Sequence, residues 1–319
     1  MKFFYLTIFL ILAIAGCKEQ FLEAPDLRNN LVVNSFFTCN DSTWINVSYL
    51  GNGLGIDSNV FCANAKVTLT EPDGTVHLFH TPGENEGFDP IYDMFSKEKG
   101  YYLLNEPIKY IKGLYKISVD VPGKNLVTAY DSIPEPVNFQ LESSGYDKDL
   151  HSVFTISFDD PPETENFYAV YVSCRIYYKK NPLVQNGRND TNCPNTFIEA
   201  TDLQNQLYFS DKTFVGTKQD LLLNTSDYNV QFFHDLIEYK NKLVVNPDAV
   251  DSVDSIQYVI HLMNLSKSYY DYAISTYKQS LAEKDFYADP VIVYSNINVG
   301  TGIFAGYNQT TIIITYLEP

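Results

Sequence analysis

Apolar residues recur at every second position along most of this chain, and that two-residue period is what most limits how it can fold. TWINVSYL puts Ile45, Val47 and Tyr49 on one face, and AKVTLT does the same with Ala65, Val67 and Leu69. LYKISVDV turns Tyr115, Ile117, Val119 and Val121 inward, with Lys116, Ser118 and Asp120 outward. Successive strand side chains point to opposite faces, so each stretch reads as a half-buried strand. With LVVNSFF, the region around GYYLL and NLVTAY, the count reaches about seven short strands in about a hundred residues, the pattern of an immunoglobulin-like sandwich. Aromatics make up 15% of the chain, almost all Tyr and Phe beside a single Trp, which suits half-buried strands.

IPEPV, residues 133–137, reads as a linker, because two prolines stiffen the chain and end the preceding strand. The pattern then restarts with VNFQLES, HSVFTISF (Phe154, Ile156 and Phe158 on one face), the turn DDPPE and the long strand FYAVYVSCRIYY. Between about 179 and 251 it weakens into stretches rich in Asn, Asp, Gln and Pro, with short runs such as QLYF, DLLL and KLVV. This reads as an insertion between strands and a place for specificity. VDSIQYVIHLMN alternates again. SKSYYDYAISTYKQSLAEK changes period: Tyr270, Ile274, Tyr277 and Leu281 recur at helical spacing behind a Ser266 N-cap, predicting a helix over about 266–284 packed through that stripe. PVIVYSNI and QTTIIITYL read as the last two strands. The fold expected is mainly β: two tandem β-sandwich domains, immunoglobulin-like or fibronectin type III-like, over 28–134 and 135–319, the second with the insertion and one α-helix.

The amino terminus, MKFFYLTIFLILAIAGCKEQ, is one Lys followed by an apolar run from Phe3 to Ile14, too short for a membrane span and suited to an export signal over 1–16. Ile14-Ala15-Gly16-Cys17 resembles the bacterial lipobox. The resemblance implies cleavage before Cys17, lipid on its sulfur and new amino group, and a short tether over 17–27; several acyl chains on one residue make a stable anchor. Lys18-Glu19-Gln20 resembles the signal that carries many Bacteroidetes lipoproteins to the outer face of the outer membrane, with a periplasm-facing orientation as the alternative. With 22 basic against 39 acidic residues the net charge is -17, which repels phosphate backbones and argues against nucleic-acid partners. Four further cysteines in an exported chain suggest disulfides. Proximity favours Cys39 with Cys62 and Cys174 with Cys193, and neither pair has CxxC spacing.

Several phrases, in their order, resemble the Bacteroidetes lipoproteins grouped as domain of unknown function 4249: the lipobox, NLVTAYDSIPEPV, FSDKTFVG (209–216), HLMNLSKSYYDY, FYADP and SNINVGTGIFAG. The resemblance covers essentially the whole mature chain. It implies an outer-membrane lipoprotein associated with TonB-dependent transporters, without catalytic residues to carry over. The positions that carry it include Asp211, Gly216, Asn296, Gly300, Gly302 and Phe304, expected to be structural. Ser42, Ser132, Ser252 and Ser255 follow Asp and precede Thr, Ile or Val, so they resemble the Asp-Ser/Thr-apolar acceptor of Bacteroidetes O-glycosylation.

Catalytic constellations are sparse. His77 and His80 are three apart in a strand, hence on opposite faces, and neither HExxH nor GxSxG occurs. Asp159-Asp160-Pro161-Pro162 reads as a turn, and Asp211 as a turn-forming Asx residue. SNINVGTGIFAGYNQTTIIITY spaces its glycines almost like a dinucleotide loop, but they lead into a β-branched strand instead of a helix, so no phosphate site follows. Gly300 and Gly302 are expected at positive φ between two strands, with Ile303 and Phe304 in the core. No metal or cofactor is expected. The function expected is non-enzymatic: a lipid-anchored protein binding a glycan or peptide, or an accessory of a TonB-dependent transporter. A surface glycan-active enzyme and a fimbrial or adhesin-type subunit are the alternatives.

Overall fold

The computed structural model describes residues 30–39, 41–50, 60–81, 100–146, 148, 152–162, 165–180, 196–201, 207–214, 216–224, 250–285 and 287–316. Its strands are β1 (Leu31–Phe37), β2 (Thr43–Tyr49), β3 (Val60–Phe61), β4 (Lys66–Thr70), β5 (Val76–Leu78), β6 (Tyr101–Leu104), β7 (Tyr115–Asp120) and β8 (Val127–Asp131) in the first half. The second half holds β9 (Phe139–Tyr146), β10 (Ser152–Asp159), β11 (Phe167–Lys180), β12 (Thr196–Thr201), β13 (Leu207–Ser210), β14 (Lys218–Asn224) and β15 (Val250–Leu265). Helix α1 (Lys267–Ala282) and β16 (Thr301–Tyr316) complete the described elements. The protein is mainly β, as the alternation predicts.

Three sheets organise these strands. One runs β12-β11-β15-β16-β1-β2-β3, with β13 on β11 and β6 on β2; the others are β14-β10-β9 and β5-β4-β7-β8. The last of these packs on β1, β2 and β6 around a core that includes Val33, Phe37, Ile45, Val47, Val67, Leu69, Tyr115 and Ile117. β14-β10-β9 supplies Phe154, Ile156, Phe158 and Leu223 to a second core, against Tyr168, Val170, Ile260 and Leu262 of the long sheet. A third cluster, Phe167, Ala169, Met263 and Leu265, lies on the opposite face under Tyr269 and Tyr270 of α1.

The two halves are less separate than tandem domains would be. β16 pairs in parallel with β1, Val32 opposite Thr301 through Phe37 opposite Gly306. It continues antiparallel to β15, from Leu265 opposite Tyr307 to Ile256 opposite Tyr316. Its first third therefore lies in the amino-terminal half, where Phe304 stacks on Phe37 at 4.2 Å between centroids. Its remainder packs Ile312 and Ile314 against the second core. The boundary near 134 marks the linker but does not divide the structure.

The linker is anchored at both ends. Ile133 and Val137 are buried, one in each core. Asn308 Nδ2 and Asn264 Nδ2 donate to the carbonyls of Pro134 and Glu135, at 3.4 and 2.9 Å.

Three further expectations are corrected. LYF and DLLL, read as short apolar runs within an insertion, instead lie in β13 and β14 of the sheets, where Phe209, Leu221 and Leu223 join the second core. KLVV lies outside the described residues. PVIVYSNI is not a strand. It runs back along α1, with Val291 N donating to Gln279 Oε1 (2.8 Å) and Tyr294 N to Ser275 Oγ (2.9 Å), while Ile292 stands exposed. α1 forms as predicted, with Ser266 Oγ accepting from Tyr269 N at 3.1 Å. Its stripe, however, packs only at the amino-terminal end: Tyr270 meets Phe167 at 4.8 Å, whereas Tyr277 and Leu281 are exposed.

The glycines at the start of β16 answer the question their spacing raises. Gly302 has φ +111°, and a Cβ there would stand 2.2 Å from Val33 O. Gly300 differs from expectation in lacking a positive φ; its constraint is closeness, since a Cβ would meet Leu31 O at 2.8 Å. Gly302→Val should therefore cost on the order of 4 kcal/mol or more, through backbone strain together with steric overlap. Gly145, in β9, has nothing within 4 Å of its Cβ position. Gly145→Val should change the urea midpoint little, and comparing the two midpoints checks the assignment.

Candidate functional site

Asp131 closes β8 where the two halves meet. Its Oδ2 accepts from the N-cap hydroxyl of Ser266 and from Gly306 N at 2.9 Å, and Ser268 Oγ lies 3.4 Å from Oδ1. Gly306 in turn offers its carbonyl to Ser266 N at 3.0 Å. A Cβ at 306 would come within 2.3 Å of Ser132 O, so only glycine lets β16 pass this close to the linker. One carboxylate thus ties together the first half, the shared strand and the start of α1. Burial pushes its carboxyl up to about 6, against the opposing pull of these hydrogen bonds.

A second buried network sits on the other side of the junction. Asp211 Oδ2 accepts from Asn166 N (2.7 Å) and Asn166 Nδ2 (3.1 Å). Asp160 accepts from Tyr168 hydroxyl (2.5 Å) and from Gly216 N (2.8 Å). Gly216 has φ +68° and would place a Cβ 2.7 Å from Pro162. Burial, then the Asp160 hydrogen bond, hold the Tyr168 phenol protonated. The Asp211 carboxylate thus reaches Asn166 before β11 instead of forming the expected Asx turn, and Asn166 Nδ2 in turn donates to Pro161 O at 3.1 Å.

Between these networks lies a cleft of about 590 Å³, within the range of small-molecule sites. The linker forms one wall, Tyr110, Lys112 and Gly113 a second, Pro161, Pro162, Glu165, Asn166 and Phe167 a third, and Asn264, Leu265, Ser266 and Lys267 the floor. Lys112 pairs with Glu135 at 3.7 Å, and Glu165 with Lys212 at 3.1 Å. Asn264 is buried, and its Oδ1 has no hydrogen-bond partner among the described residues. The cleft offers charges of both signs, amides and flat apolar surfaces, which is chemistry for holding a ligand.

Sequence reasoning missed a Ser-His contact because its members come from three strands. Ser173 Oγ lies 2.9 Å from His261 Nε2, and Gln309 Nε2 lies 3.0 Å from His261 Nδ1. Tyr171 stacks on the imidazole at 4.2 Å and donates to Gln309 Oε1. An amide nitrogen only donates, so Nδ1 is the acceptor and a neutral His261 carries its proton on Nε2, directed at Ser173. A general base would need the reverse tautomer. Ser173 and His261 are also 1% and 5% exposed, which closes them to a substrate. The trio reads as a satisfied structural histidine.

Asn296 spans Phe304 as a strand would, its Nδ2 donating to Phe304 O (2.7 Å) and its Oδ1 accepting from Phe304 N (3.0 Å). This explains the pairing of those two signature positions. Cys39 and Cys62 are both thiols, not a disulfide. Cys62 N bonds to Val47 O near the end of β2, whereas Cys39 follows β1 beside the start of β2. At about 3.3 Å per residue that separation exceeds the Cα distance a disulfide spans. Cys174 lies in β11 opposite Tyr258, but Cys193 and Cys17 lie outside the described residues. Ser42 sits in the β1–β2 turn and Ser132 in the linker; Ser252 and Ser255 pair with Lys179 and Tyr177 along β15. The site residues are thus dispersed, and Asp211, Gly216, Asn296, Gly300, Gly302 and Phe304 serve the framework around the cleft.

Fold and cleft together define a mainly β protein with a cleft at the junction of its two halves. Residues 18–313 match the family described as Domain of unknown function (DUF4249), and the chain belongs to that family. A search of curated proteins finds no match. Among solved structures, a DUF4785 family protein from Legionella pneumophila aligns at 12% identity over 73% of this chain and 52% of that one, with a TM-score of 0.20. The BSP domain of a biofilm associated protein aligns at 6% identity over 89% of this chain and 59% of that one, with a TM-score of 0.16. The chain thus spans little more than half of either protein, and likenesses this slight carry no argument about fold or role.

The Asp131 carboxyl gives the junction a pH signature. Raised to about 6 from an ordinary 3.8, it stays protonated in the folded protein across a window where the unfolded chain has already released the proton. Its contribution to stability is therefore largest below about pH 4 and falls as pH rises through 6, by on the order of 3 kcal/mol. Unfolding free energies from urea titrations of the wild type and Asp131→Asn, measured from pH 4 to 7, should show that fall in the wild type and not in the variant.

Proposed function

We propose that this protein is a non-enzymatic, lipid-anchored binding protein of the outer membrane that works beside a TonB-dependent transporter. In this reading Cys17 carries the lipid, the two cores are immunoglobulin-like sandwiches, and the junction cleft is where a cargo or a partner segment docks. The observation that carries it is the cleft itself, walled by residues of both halves; the tether in this reading is the lipobox-like leader. A tether holds a binding surface at high effective concentration near a membrane partner, so a modest contact suffices. Ser42, Ser132, Ser252 and Ser255 are proposed glycan acceptors on the same exported chain.

The alternative, a glycan-active enzyme, draws on the same cleft, where Glu135 and Glu165 stand near the exposed Tyr110. Each carboxylate is exposed and paired with a lysine. A general acid needs the opposite, a desolvated environment without a neighbouring cation. The binding reading is therefore preferred.

Cross-linking in native membranes, followed by purification through this protein, is the test. A TonB-dependent transporter should copurify, and Cys17→Ser should abolish both lipid labelling and that association. A lipid-labelled wild type that brings down no transporter would contradict the proposal.

A further inference from the structure

The outer face of β1, β2 and β6 carries a second concavity, of about 290 Å³, lined by Asn34, Ser35, Phe36, Trp44, Asn46 and Tyr101. It shares no lining residue with the junction cleft, and none of the sequence motifs accounts for it. The strand registers arrange its side chains in two rows. Asn34 stands opposite Asn46, and Asn46 opposite Tyr101, so two amides and a phenol cross three strands in line. Phe36 and Trp44 lie two residues further along, a displacement of about 7 Å. The inward neighbours Val33, Ile45, Val47 and Tyr102 are buried, which puts Asn34, Phe36, Trp44, Asn46 and Tyr101 on the opposite face.

Backbone and helix hold the face in shape. Gly100 has φ +72°, and a Cβ there would stand 2.2 Å from Val47 O; only glycine lets β6 begin tight enough against β2 to seat Tyr101 beside Asn46. A Cβ at Gly302 would stand 2.8 Å from Asn34 Oδ1, so the signature glycine also leaves that amide its place. Phe36 meets Tyr269 at 4.6 Å and Tyr272 at 5.9 Å, which makes the first turns of α1 a wall along one side.

We infer that this groove binds a neutral pyranose saccharide. None of its six lining residues is charged, on a chain of net charge -17, so anionic ligands gain nothing there and are repelled at distance. Aromatic faces carry negative potential and offer flat apolar area, which suits the C–H face of a sugar ring. An Asn amide presents a donor and an acceptor side by side, matching neighbouring hydroxyls. The inference rests on the ligand-binding reading above and gives it a ligand class and a second location.

Trp44 is the single tryptophan of the chain, so its fluorescence reports on this groove alone. The full chain in detergent is titrated with uncharged xylan, mannan, cellulose-derived and starch-derived oligosaccharides, with polygalacturonate as the anionic control. At least one neutral glycan should move the Trp44 emission to the blue and shield it from acrylamide. Asn46→Ala and Tyr101→Ala should each weaken that binding by about tenfold or more, while Leu222→Ser, on the distant and exposed β14 surface, should not. The inference is overturned if no neutral glycan at millimolar concentration changes the emission, if polygalacturonate binds equally well, or if the face instead self-associates and Trp44→Ala abolishes the dimer. Copurification with a transporter is scored separately: a transporter partner without glycan binding overturns this inference alone, and glycan binding without a transporter overturns the proposed partnership alone.

Discussion

The structure depends on β16 lying against the backbone of β1, and that contact exists because positions 300, 302 and 306 carry no side chain. Each would place a Cβ within 2.8 Å of a carbonyl oxygen of Leu31, Val33 or Ser132. With those positions bare, one strand makes a parallel ladder with the first strand of the chain and an antiparallel ladder with β15. Phe304 then reaches the first core while Ile312 and Ile314 reach the second. The shared strand turns two stacks of sheet into one body and creates the junction at which the cleft opens.

The junction is reinforced by groups that are costly to bury. Asp131 gives up solvation to hold Ser266 and Gly306, and burial raises its carboxyl pKa accordingly. Asp160 and Asp211 are likewise buried, and hydrogen bonds from Tyr168, Gly216 and Asn166 offset part of the penalty. A buried polar group that loses its partner is penalised in full, so such networks fix one arrangement of the halves and disfavour others.

Much of this was legible in the sequence. The two-residue period located β1, β2, β4, β7, β8, β10, β11 and β15, and Ser266 marked the start of α1. The errors have physical causes. PVIVYSNI has the composition of a strand but bonds to helix side chains, which no local pattern encodes. Tyr277 and Leu281 keep helical spacing beyond the point where α1 leaves the sheet, so periodicity overstated the packed face. Cys39 and Cys62 are close in sequence but lie at opposite ends of β2, a separation set by register. The Ser173–His261–Gln309 trio and the Asn34–Asn46–Tyr101 row each assemble across three strands, and only the pairing brings them together.

Both the proposed docking cleft and the proposed saccharide groove rely on the same shared strand: one opens where β16 meets the linker, the other where β16 and α1 border β1. The claim beneath both is that the two cores open as a single cooperative unit, in the sense of a shared foldon. Native-state hydrogen exchange on Phe304→Ala tests it most directly, since removing this ring from the first core should cost about 3–5 kcal/mol. The account predicts that amides of β15 and β11 lose protection in step with those of β1 and β2. Loss confined to β1, β2 and β7, with β11 and β15 as protected as in the wild type, would contradict it.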